Sequence, residues 1–259
     1  MFIMRKNYFI GIIAFAALVT VIISCVKDRS TSIDNSFPQA TVPGSFVEEF
    51  DSVGNLTAKG WVFKNNSQPI GQTGWRQGRY ESAVGMQYKF NAPIPFVGFP
   101  AYSAHITPND FVSSDISAVG DSGTISSWLI SPIVPMRNGD QIIFYTRASD
   151  DSQYPDYTTD RMQVRANATD SSANVGNDNS SVGSFTNLLL DINSAYAHNS
   201  PAGYPEAWIK KTITISGLPN AGIAKGRFAF RHYCTATSLI GPHYASVVGI
   251  DSLAYIHHD

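Results

Sequence analysis

After residue 45 the chain carries no run with the three-to-four-residue apolar spacing of an amphipathic helix, which removes helical architectures from the outset. Short runs rich in β-branched and aromatic residues recur instead, cut by Gly, Pro, Asn and Asp. They fall at 46–51, 61–64, 83–90, 102–107, 124–131, 141–147, 161–165, 185–190, 208–216, 224–233 and 246–256. The alternation within them has the two-residue period of a strand. Gln141 to Arg147 puts Ile142, Phe144 and Thr146 on one face and Ile143, Tyr145 and Arg147 on the other. Arg161 to Arg165 turns Met162 and Val164 inward. About eleven short antiparallel strands at this spacing predict an all-β protein, a β-sandwich of the jelly-roll kind. Ser149–Asp160 and Ala166–Ser184 read as polar loops, and the Pro-rich stretch Asn91–Gly98 as a surface excursion. Loops are where a sandwich places its binding residues.

The N-terminus carries an address. Arg5 and Lys6 precede an uncharged apolar run from Tyr8 to Ile23. That run is shorter than the roughly 20 residues a spanning helix needs, and it has the layout of a signal peptide. It ends in Ile22-Ile23-Ser24-Cys25, which resembles the bacterial lipoprotein signal, whose cysteine is lipidated and becomes the first residue of the exported chain. The expected organisation is a signal peptide over 1–24, lipidated Cys25 with a flexible tether over 25–45, and one domain over 46–259. The reading predicts an exported lipoprotein of the cell envelope, at the outer membrane or cell surface, with the membrane as a partner through its N-terminal lipid. Cys234 then has no disulfide partner and is expected to be a buried, inert thiol. The formal net charge is −2, so nothing in the electrostatics favours nucleic acid as a partner.

The strand runs carry motifs in a recognisable order. They are FVEEFDSV (Phe46–Val53), KGWVFKNNS (Lys59–Ser67), IGQTGWRQG (Ile70–Gly78), SSWLISPIVPMRNGDQIIFYTRA (Ser126–Ala148), DRMQVRAN (Asp160–Asn167), GRFAFRHY (Gly226–Tyr233) and VGIDSLAYI (Val248–Ile256). Together they resemble the choice-of-anchor J domain, a relative of the bacterial cleaved-adhesin domain. The resemblance implies a jelly-roll, galactose-binding-like sandwich attached to the cell by whatever anchor its host uses, and no enzymatic activity. It also implies structural Ca²⁺ shared by acids of the first and last strands, here Glu48, Asp51 and Asp251. One such acid is missing, because Ser252 follows Asp251. The cluster Asp150, Asp151 and Asp156 reads either as a second cation site or as a solvated loop.

The chain has no Gly-x-Ser-x-Gly elbow and no His-Glu-x-x-His helix, and it is not expected to be an enzyme. Trp61, Trp75 and Trp128 read as core, and His232 as a hydrogen-bonded core or rim residue. The expected function is a non-catalytic module binding an extracellular glycan or protein through loop aromatics, namely Tyr154, Tyr157, Tyr196, Tyr204 and Trp208. Tyr154-Pro155 and Tyr204-Pro205 read equally as loop-packing anchors. The alternative is a structural spacer, marked by an extended apolar patch on a sandwich face.

Overall fold

The computed structural model describes residues 43–80, 84–89, 92–150, 159–198, 201–219, 222–237 and 243–258, which lie in one compact unit, Pro38–Asp259. Cys25, Tyr154, Tyr157, Asp151 and Asp156 fall outside them. Fifteen strands appear among the described residues: β1 (Phe46–Glu48), β2 (Val62–Asn65), β3 (Gln68–Ile70), β4 (Arg76–Gln77), β5 (Val84–Lys89), β6 (Ala92–Val97), β7 (Val112–Asp115), β8 (Val119–Ile130), β9 (Val134–Met136), β10 (Gln141–Ala148), β11 (Met162–Asn167), β12 (Asn187–Ile192), β13 (Ile209–Thr214), β14 (Ile223–Thr237) and β15 (Val247–Ile256).

These strands form an all-β sandwich of two antiparallel sheets. The first runs β13-β10-β15-β7-β4, with β1 also on β15. The second runs β12-β11-β14-β8-β2, with β3 on β8 and β9 on β14. Strands β5 and β6 pair only with each other. The main core lies between the sheets. Ile142, Phe144, Ile250, Leu253 and Tyr255 of the first sheet meet Leu129, Met162, Val164, Phe228 and Phe230 of the second. Phe144 and Phe230 meet edge to face at 4.9 Å, and Phe228 stacks on Tyr255 at 5.6 Å. Burial of these side chains contributes roughly 1.5–3 kcal/mol each. Trp61, Trp75, Trp128, His232 and Cys234 are buried, as the sequence reading expects, and burial pushes the Cys234 thiol up to about 12.

Two segments lie over the outer faces. On the first sheet, Phe99, Ala101 and Phe111 pack with Val247 and Trp208. On the second, Val175 and Phe185 cover Trp128, Ile130 and Ala229. This corrects one expectation. Tyr102–Thr107 is not a strand, because the Asp110 carboxylate collects the N–H groups of His105, Ile106 and Thr107 at 3.1, 2.6 and 2.8 Å and curls the chain. Asn91–Gly98, read as a surface excursion, holds strand β6 over its residues 92–97, which pairs with β5 outside both sheets.

Candidate functional site: a cleft at the sheet edge

Among the described residues, Tyr196, Tyr204 and Trp208, three of the aromatics expected to face a ligand, each bond or pack within the protein. Tyr204 is the clearest correction: it is 4% exposed, in the main core, with its hydroxyl 2.7 Å from Thr146 Oγ1 and 3.6 Å from Met162 Sδ. The Tyr-Pro run there is a packing anchor. Tyr196, at φ +54°, stacks on His243 at 3.8 Å. Its hydroxyl oxygen accepts from Arg161 Nη1, Thr235 N and Thr235 Oγ1 at 3.1, 3.1 and 3.0 Å. Trp208 is half-buried, edge-on to Phe99 and Phe111 at 5.5 and 5.7 Å, and donates to Pro100 O at 2.9 Å. Gly249 makes that seat, since a Cβ there would lie 2.9 Å from the indole.

The acids expected to share Ca²⁺ are also separated. Glu48 takes Lys59 Nζ at 2.9 and 3.1 Å and Phe50 N at 3.2 Å. Asp51 pairs with His105 Nδ1 at 3.0 Å, which raises the pKa of that histidine. Asp251 faces Glu49, an acid the sequence reading passed over. Ser252 Oγ and Ser103 Oγ donate to Glu49 Oε2 at 2.7 and 3.3 Å. The Asp251 carboxylate accepts backbone N–H groups of Tyr102, Ser103 and Ser252 at 2.7, 2.9 and 2.7 Å. Burial outweighs these donors and pushes its pKa up to about 7. No group of three His, Cys, Asp or Glu among the described residues can hold a metal ion. Ca²⁺ needs six to eight oxygens, whereas Asp251 is surrounded by hydrogen-bond donors, so these residues do not fit the ion.

One array has the residue types of acyl-transfer chemistry. Ser114 Oγ lies 3.1 Å from His232 Nδ1, and His232 Nε2 lies 3.4 Å from Asp160 Oδ1. All three residues are at most 1% exposed. Nucleophilic catalysis needs the serine within reach of a substrate, and this one is sealed between the sheets. The array is a polar tie from β7 to β14, extended by Ser246, which donates N–H and O–H to Asp160 at 3.0 and 2.5 Å.

The chain does form an open cleft, of about 370 Å³, where it crosses from one sheet to the other. Strands β2 and β3 both pair with β8. The chain then turns at Gly71, whose N–H donates to Ala118 O at 3.0 Å, while Gln72 N donates to Ser117 O at 2.9 Å. Only glycine fits there, since a Cβ would lie 2.2 Å from Ser117 O. Asn65 Nδ2 clasps the crossing by donating to Thr73 O and Ala118 O at 2.7 and 2.8 Å. Beyond it, β4 joins β7 in the other sheet. Behind the cleft, Thr73, Ser117 and Arg76 converge on the buried Asp115 carboxylate. Phe63, Ile70 and Trp75 give the cleft apolar walls, and Lys64 and Gln72 a polar rim. Trp75 is buried and fixed by donation to Ser127 O at 3.0 Å. Ile70 is 68% exposed. An apolar wall beside amide and ammonium donors suits a ligand with an apolar face and hydroxyl or carbonyl edges. The sequence signal was the glycine pair Gly71 and Gly74 around Thr73, inside the IGQTGWRQG motif.

No family model matches the sequence, and no curated protein matches it. Solved structures do. The K1 cleaved adhesin domain of Lys-gingipain from Porphyromonas gingivalis W83 is 20% identical, covering 83% of this chain and 99% of that one, with a TM-score of 0.44. The K2 cleaved adhesin domain of Lys-gingipain is 15% identical over 83% and 98%, with a TM-score of 0.46. The module TmCBM61, solved with β-1,4-galactotriose, is 10% identical over 82% and 99%, with a TM-score of 0.36. Likenesses this remote transfer no ligand.

Proposed function

We propose that this chain is a non-catalytic binding module, held on the cell envelope by a lipid at Cys25, that takes an extracellular glycan or protein in the cleft between β2 and β4. The observation that carries the reading is the cleft itself: apolar walls at Phe63, Ile70 and Trp75, a rigid back, and exposed Lys64 and Gln72 at the rim. A sugar ring would lay its C–H face on the wall and turn its hydroxyls to the rim, and a peptide would use the same donors for its carbonyls. The export reading rests on the run Tyr8–Ile23 and the Ser24-Cys25 step. The spacer alternative calls for an open apolar sandwich face, whereas both faces carry cover from the chain itself. The test is a glycan and matrix-protein array probed with wild type and Phe63→Ala. Specific hits that fall at least tenfold in the variant support the reading, and a blank array overturns it. Radiolabelled palmitate incorporated by the wild type and not by Cys25→Ser checks the anchor.

A further inference from the structure

Three arginines share the outer face of the second sheet with one carboxylate. Arg161 precedes β11, Arg165 lies within it, and Arg231 lies on β14, where it pairs with Gln163. Asp191 is spent on Arg161, which holds it through Nε at 2.8 Å and Nη2 at 2.6 Å. The other two guanidinium groups find only neutral acceptors. Arg165 Nε and Arg231 Nη1 both donate to Gln163 Oε1, at 2.9 and 3.4 Å. Arg231 also donates to Ser126 Oγ and Asn179 O, and Arg165 to Phe185 O at 3.3 Å. Tyr233 lies among them, with the Arg231 and Arg161 guanidinium carbons 3.8 and 5.2 Å from its ring centroid.

Cations this far from solvent are ordinarily paired with an anion, because a carbonyl dipole does not cancel a full charge. Arg231 is 1% exposed, and burial pulls its pKa down to about 10. Arg165 is half-buried and is shifted down by burial as well. Among the described residues, Asp191 is the one carboxylate that faces the group. Arg165 Nε and Nη1 are used within the protein and Nη2 is not, which leaves a donor edge of that guanidinium open.

We infer that this face, with Arg165 as the contact, binds an anionic glycan through its carboxylate or sulfate groups, a glycan being the ligand class of the function proposed above. A guanidinium edge matches either group bidentately. The site is on the outer face of β11 and β14 and does not depend on the cleft.

The test measures binding of the full-length protein to immobilised polygalacturonate, dextran sulfate and neutral galactan, in low and high salt. Binding to one or both acidic polymers, lost in high salt and at least tenfold weaker in Arg165→Gln, is expected; which polymer binds separates carboxylate from sulfate. Phe63→Ala should leave this binding unchanged, so the cleft reading can fail without it. Phenylglyoxal labelling of Arg165 in the wild type, blocked by the bound polymer, gives the same answer without a variant. Absence of acidic-polymer binding, unaltered binding by Arg165→Gln, or equal loss in the remote Lys210→Gln would overturn the inference.

Discussion

The two covered faces of the sandwich are fastened in opposite ways. Over the first sheet, a buried acid receives: Asp251 accepts the N–H groups of Tyr102 and Ser103 and so holds the 99–111 segment down. Over the second, buried and half-buried bases give: Arg231 donates to Asn179 O, Arg227 to Ser171 O and Arg165 to Phe185 O. The groups that fasten each cover therefore carry one sign of charge. The difference teaches that a cover can be tied by either half of the peptide group. The choice fixes how each face responds to pH, since a carboxylate near 7 titrates in the physiological range and a guanidinium does not.

The largest test of this comparison is Phe185→Ala. Phe185 is fully buried, 5.9 Å from the Trp128 ring, and truncation should cost about 3–5 kcal/mol in urea unfolding. Hydrogen exchange should accelerate over 168–186 and stay unchanged over 98–111; acceleration of both would break the independence of the two covers. Next is Asp251. Its folded pKa lies above the ordinary carboxylate value, so its contribution is full below about pH 4 and is lost as pH rises through 7. The loss is on the order of 3 kcal/mol. His105, raised by Asp51, moves in the same direction, while Asp140, lowered by its hydrogen bonds, loses its contribution only as pH falls below about 4. The readout is thus the difference between wild type and Asp251→Asn across pH 4–8: the wild type should decline and the variant should be flatter, and parallel curves would remove Asp251 from the account. Arg231→Met should cost about 2 kcal/mol, by leaving Ser126 and Asn179 short of a donor. That cost should not vary between pH 4 and 8, and a pH-dependent cost would erase the contrast between the faces. The smallest expected effect is none: added Ca²⁺ against EGTA should not move the melting temperature. A rise would put a cation at Asp251 and Glu49 and make the first face a balanced one.

The inward faces were legible because period-two alternation survives wherever one side of a strand is buried. Met162, Val164, Ile142 and Phe144 are all core residues. Trp128 reads as core from the sequence, but only the fold shows that it is buried on the outer face of its sheet, under Val175 and Phe185. The short strands β3, β4, β7 and β9 escaped notice because two to four residues are too few to show a period. The loop aromatics misled for a different reason. Composition cannot say whether a ring faces solvent or its own core, and Tyr204 faces the core. The arginine cluster was invisible because Arg161, Arg165 and Arg231 meet only through the pairing of β11 with β14.

Strand β15 pairs with β1, β10 and β7, so the hub of the first sheet is the last strand of the sandwich to be made. A chain that emerges N-terminus first can form β10 against β13 but cannot close that sheet until residue 256 has left the ribosome. Until then β10 lacks one of its two neighbours in the sheet, β1 has no strand to join, and β7 has only β4. The topology thus acts as a timer: for a chain made from its N-terminus, closure of the first sheet comes only after every strand of the second is available.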